Sequence, residues 1–479
     1  MTTTLTLPAT PRRLADLPAP PGLPFLGNLL QLKPEDFHNQ LEHWAGKLGT
    51  PYRLQAGPRL ITVWSDTELM QAVLRERPER FRRTREIEDV LTEMGGNGLF
   101  SVEGAAWKPQ RRLVMQALAA THFRGFFPTL HAITERLYRR LLRAAVAGEV
   151  LDMGRELKRY TVDVTCALAF GQDPNTLEQE GDVIQDHLEL IFPMIMQRIA
   201  NPFAYWRVFR LPKDRRLDRG LKVVHAYVRD MMGKARRRMR DDPCETPRNL
   251  LEAMLAVRDE ADSQISDDDV AANVLTLLLA GEDTTATSLA WTMPYLAADT
   301  ALQSRLHAQA RDIFGTEAIC PTHDDLRHLD LFEALTTEAT RLHPIAAINS
   351  AEPLQDVVLD GVAIPRGTRM FFINRPALRD SRNFARAERY DPERWTRDRH
   401  QGTPGAAEAH NPRAFLQFGA GPRVCPGRHL AGVEIRLVLS MLMRHFEIEL
   451  ACDPVEIKEV LAFALTPSKM PVRLKARMA

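Results

Sequence analysis

The residues best suited to chemistry sit in one short stretch, Phe418-Gly419-Ala420-Gly421-Pro422-Arg423-Val424-Cys425-Pro426-Gly427. Leu430, Val433, Leu437, Val438 and Met441 follow at helical spacing, so the stretch reads as a glycine-rich turn opening a helix with one buried face. Backbone N–H groups and the positive end of the helix dipole favour a thiolate over a thiol at Cys425. Such a thiolate is a good ligand for iron, and an iron-bound thiolate donates electron density that favours O–O cleavage. Two plainer roles compete. A lone cysteine is commonly a small buried hydrophobe, and Cys425 could pair with His429, one helical turn on, as metal ligands. Neither accounts for the glycines or for Arg423.

A second stretch places polar groups in apolar surroundings. Ser266-Asp267-Asp268-Asp269 predicts a helix start, with a serine cap, an acid three residues on and negative charge at the dipole's positive end. The apolar run 270–279 then gives way to Ala280-Gly281-Glu282-Asp283-Thr284-Thr285. Acids and hydroxyls inside an apolar helix are costly unless they meet a partner or a wet site. Gly281 marks a close approach, and a threonine hydroxyl can bond back to the i−4 carbonyl. Taken alone, the run is an amphipathic helix with a polar patch. Glu338 and Arg341 share a helix face ahead of Pro344, and alone they would be a surface ion pair of little worth.

Together these stretches resemble the cytochrome P-450 superfamily. Its haem-binding signature, Phe-x-x-Gly-x-Arg-x-Cys-x-Gly, is matched by Phe418, Gly421, Arg423, Cys425 and Gly427. Glu338-Ala339-Thr340-Arg341 is similar to its Glu-x-x-Arg helix, and Pro392-Glu393-Arg394-Trp395 to its Pro-Glu-Arg-Phe. The run at Ala280–Thr285 is similar to its distal helix, and Trp107-Lys108-Pro109-Gln110-Arg111 to its Trp-x-x-x-Arg helix. The resemblance covers roughly residues 20 to 475, in family order.

The resemblance implies a mainly helical fold with small β-sheets, in which haem b lies between the long distal helix and the cysteine turn. Residues 1–19 are expected as a flexible lead-in and 20–479 as one haem-thiolate monooxygenase domain. Cys425 would ligate the iron. Arg423, Phe418, Gly419, Gly427, Trp107, Arg111 and Ala280 would contact the cofactor, with Trp107, Arg111 and Arg423 as donors to its propionates. Thr284 would hydrogen-bond the oxygen being activated, and Asp283 would pass protons inward. Glu338, Arg341 and Arg394 would form a buried structural triad. The propionate-binding base of many members is missing from Ile348-Asn349-Ser350-Ala351, so Asn349, Ser350 or water would stand in.

The implied reaction inserts one oxygen atom of O2 into a C–H bond of a hydrophobic molecule such as a fatty acid or terpenoid. The electrons would come ultimately from NAD(P)H. No flavin, dinucleotide or iron–sulfur module follows, so a separate ferredoxin or flavodoxin with its reductase is expected. Lys108, Arg111, Arg112, Arg423 and Arg428 would offer such a partner a basic patch. The competing readings are a haem-thiolate sensor without turnover and a peroxide-driven peroxygenase. The pair Asp283–Thr284 weighs against both. Leu99, Phe100, Ile195, Ala280, Ile345 and Phe463 are expected to line an apolar substrate pocket, with Gly95-Gly96-Asn97-Gly98 in a loop above it. Arg85 or Arg198 could hold a substrate carboxylate.

Composition sets the outer limits. The 479 residues carry a formal net charge of +1, so there is no bulk electrostatic case for nucleic acid or anionic membrane. The start Met1-Thr2-Thr3-Thr4-Leu5 lacks an apolar anchor or signal pattern, which predicts a cytoplasmic protein, expected as a monomer. Five widely spaced cysteines argue against a disulfide framework. Two hairpins are predicted, one turning at Gly57-Pro58 and one at Asp360-Gly361.

Overall fold

A computed structural model of the chain describes residues 11–118, 120–179, 183–244, 246–396 and 410–477. Helices dominate, and four small sheets accompany them among the described residues. The longest helix, Asp267–Ala297, runs through the main core. Its start is a closed capping box. Ser266 Oγ accepts the Asp269 N–H at 3.1 Å, and the Asp269 carboxylate accepts the Ser266 N–H at 2.9 Å. Beyond that turn the helix is apolar nearly all round, which is why it lies inside. It packs against Met153–Phe170, Asp330–Leu342 and Arg428–His445.

The closest crossing is with Met153–Phe170. A Cβ on Gly281 would sit 2.8 Å from Thr165 Oγ1, and Thr161 Oγ1 donates to the Glu282 carbonyl at 2.7 Å. The close approach expected at Gly281 is therefore that of a neighbouring helix.

The largest sheet has the strand order Tyr52–Ala56, Arg59–Trp64, Arg369–Ile373, Ile348–Pro353, Phe81–Arg82. Its first two strands are the hairpin at Gly57-Pro58, and only the Arg59–Trp64 to Arg369–Ile373 pairing is parallel. The second hairpin pairs Val357–Leu359 with Val362–Ile364. Asp360 and Gly361 have φ of 46° and 68°, the tight turn such a two-residue loop requires. Glu459–Leu461 and Leu465–Pro467 form a third hairpin with Phe463 at its tip. Trp291 Nε1 pins it by donating to the Leu465 carbonyl at 2.7 Å. Of the expected lead-in 1–19, Arg12 bridges Val362 and Leu17 is buried. Among the described residues no helix is long and apolar enough to cross a membrane.

Candidate active site

A cavity of about 730 Å³ lies between the cysteine turn and the long helix. Cys425, Phe418, Gly419, Gly427, Ala280 and Thr284 all line it. Cys425 is deep in the protein, and its side chain is accessible because it opens on this cavity. The turn is closed by the Cys425 N–H, which donates to the Phe418 carbonyl at 2.9 Å. Gly421 has φ 70° and lies against helix Thr67–Arg75, where a Cβ would come within 2.6 Å of Arg75 Cα. No other residue type fits there.

The donors expected around Cys425 are present, and burial opposes them. Burial pushes its thiol up, and the Gly427 N–H, the Arg111 charge and the Arg428 N–H pull it back only in part. Desolvation outweighs the donors of the turn. A bound cation would reverse that balance.

On the long helix, adjacent side chains point about 100° apart. Thr284 faces the cavity, and its hydroxyl donates to the Ala280 carbonyl at 2.7 Å. Asp283 does not line the cavity. It is buried against Met153–Phe170, where Lys158 Nζ stands 2.8 Å from its Oδ1. Nothing in the local sequence signals Lys158, which is one turn into that helix and far from Asp283 in the chain.

Beside the cysteine turn, Arg77, Arg83 and Arg423 converge on one carboxylate, Glu103. Arg423 Nη2 is 2.7 Å from Glu103 Oε2, Arg77 Nη2 is 3.7 Å from Oε1, and the Arg83 backbone N–H donates to Oε1 at 3.0 Å while its guanidinium Nε donates to the Phe100 carbonyl at 2.9 Å. Arg423 also lies over the Trp107 ring, 5.0 Å from its centroid. Arg111 donates to the Val424 carbonyl at 2.9 Å. All four arginines and Trp107 border the cavity. Burial pushes Arg77 well down and Arg83 down to about 10, with mutual repulsion adding to both. Buried N–H donors remain without hydrogen-bond partners among the described residues: Arg77 Nε and Nη2, Arg423 Nε and Nη1, and Asn349 Nδ2.

These residues fit haem. A flat apolar ring with two carboxylates would satisfy the orphaned donors and balance the Arg77 and Arg423 guanidiniums, which share one acid. Asn349 supplies a donor where the expected base is missing, while Ser350 Oγ is 3.3 Å from Thr84 Oγ1. Arg77 and Arg83 were not anticipated, because arginines in loop sequence read as solvated.

Behind the site, Glu338 is fully buried and gathers Arg341 Nε and Nη2, each at 2.9 Å, and Arg394 Nε at 3.0 Å. Two further donors join: the Trp395 indole N–H at 2.8 Å and the Asp391 N–H at 2.9 Å. Trp395 in place of phenylalanine is thus a change of function, since only the indole can donate.

Leu99, Phe100, Ile345 and Phe463 line the cavity as expected from their order in the chain, but Ile195 does not. Ile195 packs in the apolar cluster with Leu275, Leu279 and Val224, and its helical neighbours Met196 and Ile199 face the cavity instead. Leu99, just after the Gly95–Gly98 loop, is held by its N–H donating to Asn273 Oδ1 at 2.9 Å. Asn273 in turn donates to Gln110 Oε1 at 2.9 Å, tying the loop, the long helix and helix Trp107–Ala117 together. Arg198 is consumed by a buried pair with Asp214 at 3.1 Å, and Arg85 does not border the cavity. Of the basic patch, Arg111 and Arg423 face inward, whereas Lys108 and Arg112 are exposed beside Glu79 and Glu260 at 3.3 and 2.8 Å.

The family model described as cytochrome P450 matches residues 17–474. The chain is 27% identical to pentalenene oxygenase of Streptomyces avermitilis, over 96% of this chain and 97% of that one. It is 25% identical to the mitochondrial sterol 26-hydroxylase of Homo sapiens, over 96% and 89%. It is 24% identical to the chloroplastic protein LUTEIN DEFICIENT 5 of Arabidopsis thaliana, over 90% and 73%.

Proposed function

The chain belongs to the cytochrome P450 family of haem monooxygenases, and on that premise we propose that it hydroxylates an apolar small molecule with electrons from a separate protein. Bound haem supplies dioxygen activation, which a thiolate ligand promotes. The remaining work falls to the chain's own side chains. Cys425 presents its sulfur from a turn held by the Phe418 carbonyl. Arg77, Arg83, Arg111 and Arg423 would hold the propionates, with Trp107 packed under Arg423. Thr284 places a hydroxyl in the cavity that can accept and pass a proton. Asp283, through Lys158, gives that hydroxyl a proton source on the far side of the helix.

One observation carries the reading: Cys425 and Thr284 open on the same largely apolar cavity. An acid–alcohol pair supports turnover over passive haem sensing, since a sensor needs no proton supply. Relatives whose names are a sterol 26-hydroxylase and a pentalenene oxygenase support hydroxylation of an apolar molecule. Lys108, Arg112 and Arg428 offer a small exposed basic surface to an acidic ferredoxin or flavodoxin, itself reduced from NAD(P)H. Five widely spaced cysteines suit a reducing cytoplasm.

The test is the carbon-monoxide difference spectrum of the reduced protein. The wild type should show the thiolate-ligated band, and Cys425→Ser should lose it. A band that survives the substitution would assign the ligand elsewhere. Titration of the ferric protein with fatty acids, terpenes, steroids and small aromatics then reports binding through the spin-state shift.

A further inference from the structure

Glu459 stands at the base of the hairpin that carries Phe463 at its tip. That hairpin is a sheet of its own, with three residues in each strand, and a lone ribbon of that length is marginal in water. Its placement depends on what holds it from outside.

Glu459 gathers three bases from three places in the chain. His343 Nδ1, just past the end of helix Asp330–Leu342, is 2.7 Å from Oε1. His38 Nε2, in helix Phe37–Leu48, is 3.1 Å from Oε2. Arg375, opening the short helix Arg375–Leu378, donates to Oε2 through Nη1 at 2.5 Å, and its Nε donates to a second acid, Glu42, at 2.8 Å. Burial pushes the Glu459 carboxyl up, but hydrogen bonds from His343 and His38 and the Arg375 charge outweigh it and hold the group well below the usual carboxylate range.

The returning strand is pinned separately. Leu465 accepts from the Trp291 indole, and its own N–H donates to the Ile345 carbonyl at 3.0 Å. His343 joins the two pins. Its ring stacks on Trp291, with centroids 4.0 Å apart and planes within 3°, and its Nε2 is 2.9 Å from the Tyr295 hydroxyl. At the far end, Phe463 packs between Phe100 and Phe192, at 5.5 and 5.4 Å between centroids. Phe463 and Phe100 line the cavity, as does Phe37 beside His38, whereas Glu459 does not border it.

Resting on the monooxygenase reading above, we infer that Glu459 is a positioning residue: from outside the cavity it sets where Phe463 stands against a bound substrate, and so which hydrocarbon shapes fit. It does this by locking the base of the hairpin to the helix that supplies Phe37 and to the end of helix Asp330–Leu342.

The experiment titrates the ferric holoprotein with imidazole and with 1-dodecylimidazole, read by the haem absorption shift. Both bind iron through a ring nitrogen, and only the second carries a chain that meets the apolar wall. Wild type should bind the dodecyl compound more than about 10-fold tighter. Glu459→Gln keeps the side-chain shape and removes the charge. It should weaken 1-dodecylimidazole about 10-fold and leave imidazole unchanged, and Phe463→Ala should do the same. If Glu459 acts through Phe463, the double variant binds no more weakly than Phe463→Ala alone. Should Glu459→Gln fail to fold, His343→Phe keeps the ring against Trp291, deletes the bond to Glu459, and must show the same selective loss. Equal loss of both ligands, no loss of either, or losses that multiply in the double variant overturn the inference. Equal affinity of wild type for the two ligands overturns it as well. All of these outcomes leave the monooxygenase reading standing. A wild type that binds neither ligand and lacks the thiolate spectrum would remove both.

Discussion

Lys158 Nζ stands 2.8 Å from Asp283 Oδ1, on the side of the long helix turned away from the cavity that Thr284 faces. Asp283 is buried, at 6% side-chain exposure, whereas Lys158 retains 36%. On the proposed reading, Asp283 relays protons from this half-exposed lysine toward Thr284. Asp283→Asn keeps the shape and removes the proton carrier. Turnover should fall about 100-fold, while substrate affinity from the spin-state titration holds. An unchanged kcat would remove Asp283 from the reaction. Lys158→Ala leaves the buried Asp283 carboxylate without this partner and should cost more stability than loss of an exposed ion pair, which denaturant melts would read.

Thr284→Ala removes the hydroxyl that faces the cavity and frees the Ala280 carbonyl. Electron consumption should continue while hydrogen peroxide replaces product. The ratio of product to electrons consumed is the readout. Full coupling in the variant would mean that the substrate or water supplies the proton path.

Glu338 accepts from Arg341, Arg394, Trp395 and the Asp391 N–H at once. Glu338→Ala would strand two buried guanidiniums, at a cost of about 3–5 kcal/mol. Trp395→Phe deletes one charge-assisted hydrogen bond and should cost about 1.5–3 kcal/mol. Denaturant melts of both variants check the order. Equal stability of Trp395→Phe and wild type would show that the indole bond adds nothing net.

Arg77 is 2% exposed, with Nε and Nη2 lacking a hydrogen-bond partner among the described residues. If it holds a propionate, Arg77→Gln should speed haem loss to a scavenging apoprotein about 10-fold. The thiolate spectrum of the remaining holoprotein should not change. Haem loss at the wild-type rate would place the propionates elsewhere.

Glu434, two turns into the helix after the cysteine turn, is pushed up to about 8 by burial alone, and its Oε2 lacks a partner among the described residues. At a pH below about 4.5, folded and unfolded chains both hold this proton. Between there and about 8 only the folded chain holds it, so stability falls as pH rises, by about 3–5 kcal/mol over the window. Glu434→Gln should flatten that slope in urea melts run across the range. A slope identical to wild type would mean that Glu434 ionises freely in the fold.

Spacing along the chain determined what local backbone geometry can hold. The cysteine turn, the capped long helix, the Glu338–Arg341 pair and both hairpins each lie within a few residues, so helix and turn periodicity alone set their shape. Even there, periodicity assigns faces only approximately. Ile195 turned into the core, and Met196 and Ile199 took the cavity. Tertiary structure alone decided the partners. Lys158 meets Asp283, Glu103 gathers Arg77, Arg83 and Arg423, Glu86 joins Arg59 to Arg369, and Trp395 reaches Glu338. Each meeting joins residues far apart in the chain. An ion pair has no sequence period; it forms where burial forces a charge to find its opposite, and only the packed fold shows where that happens.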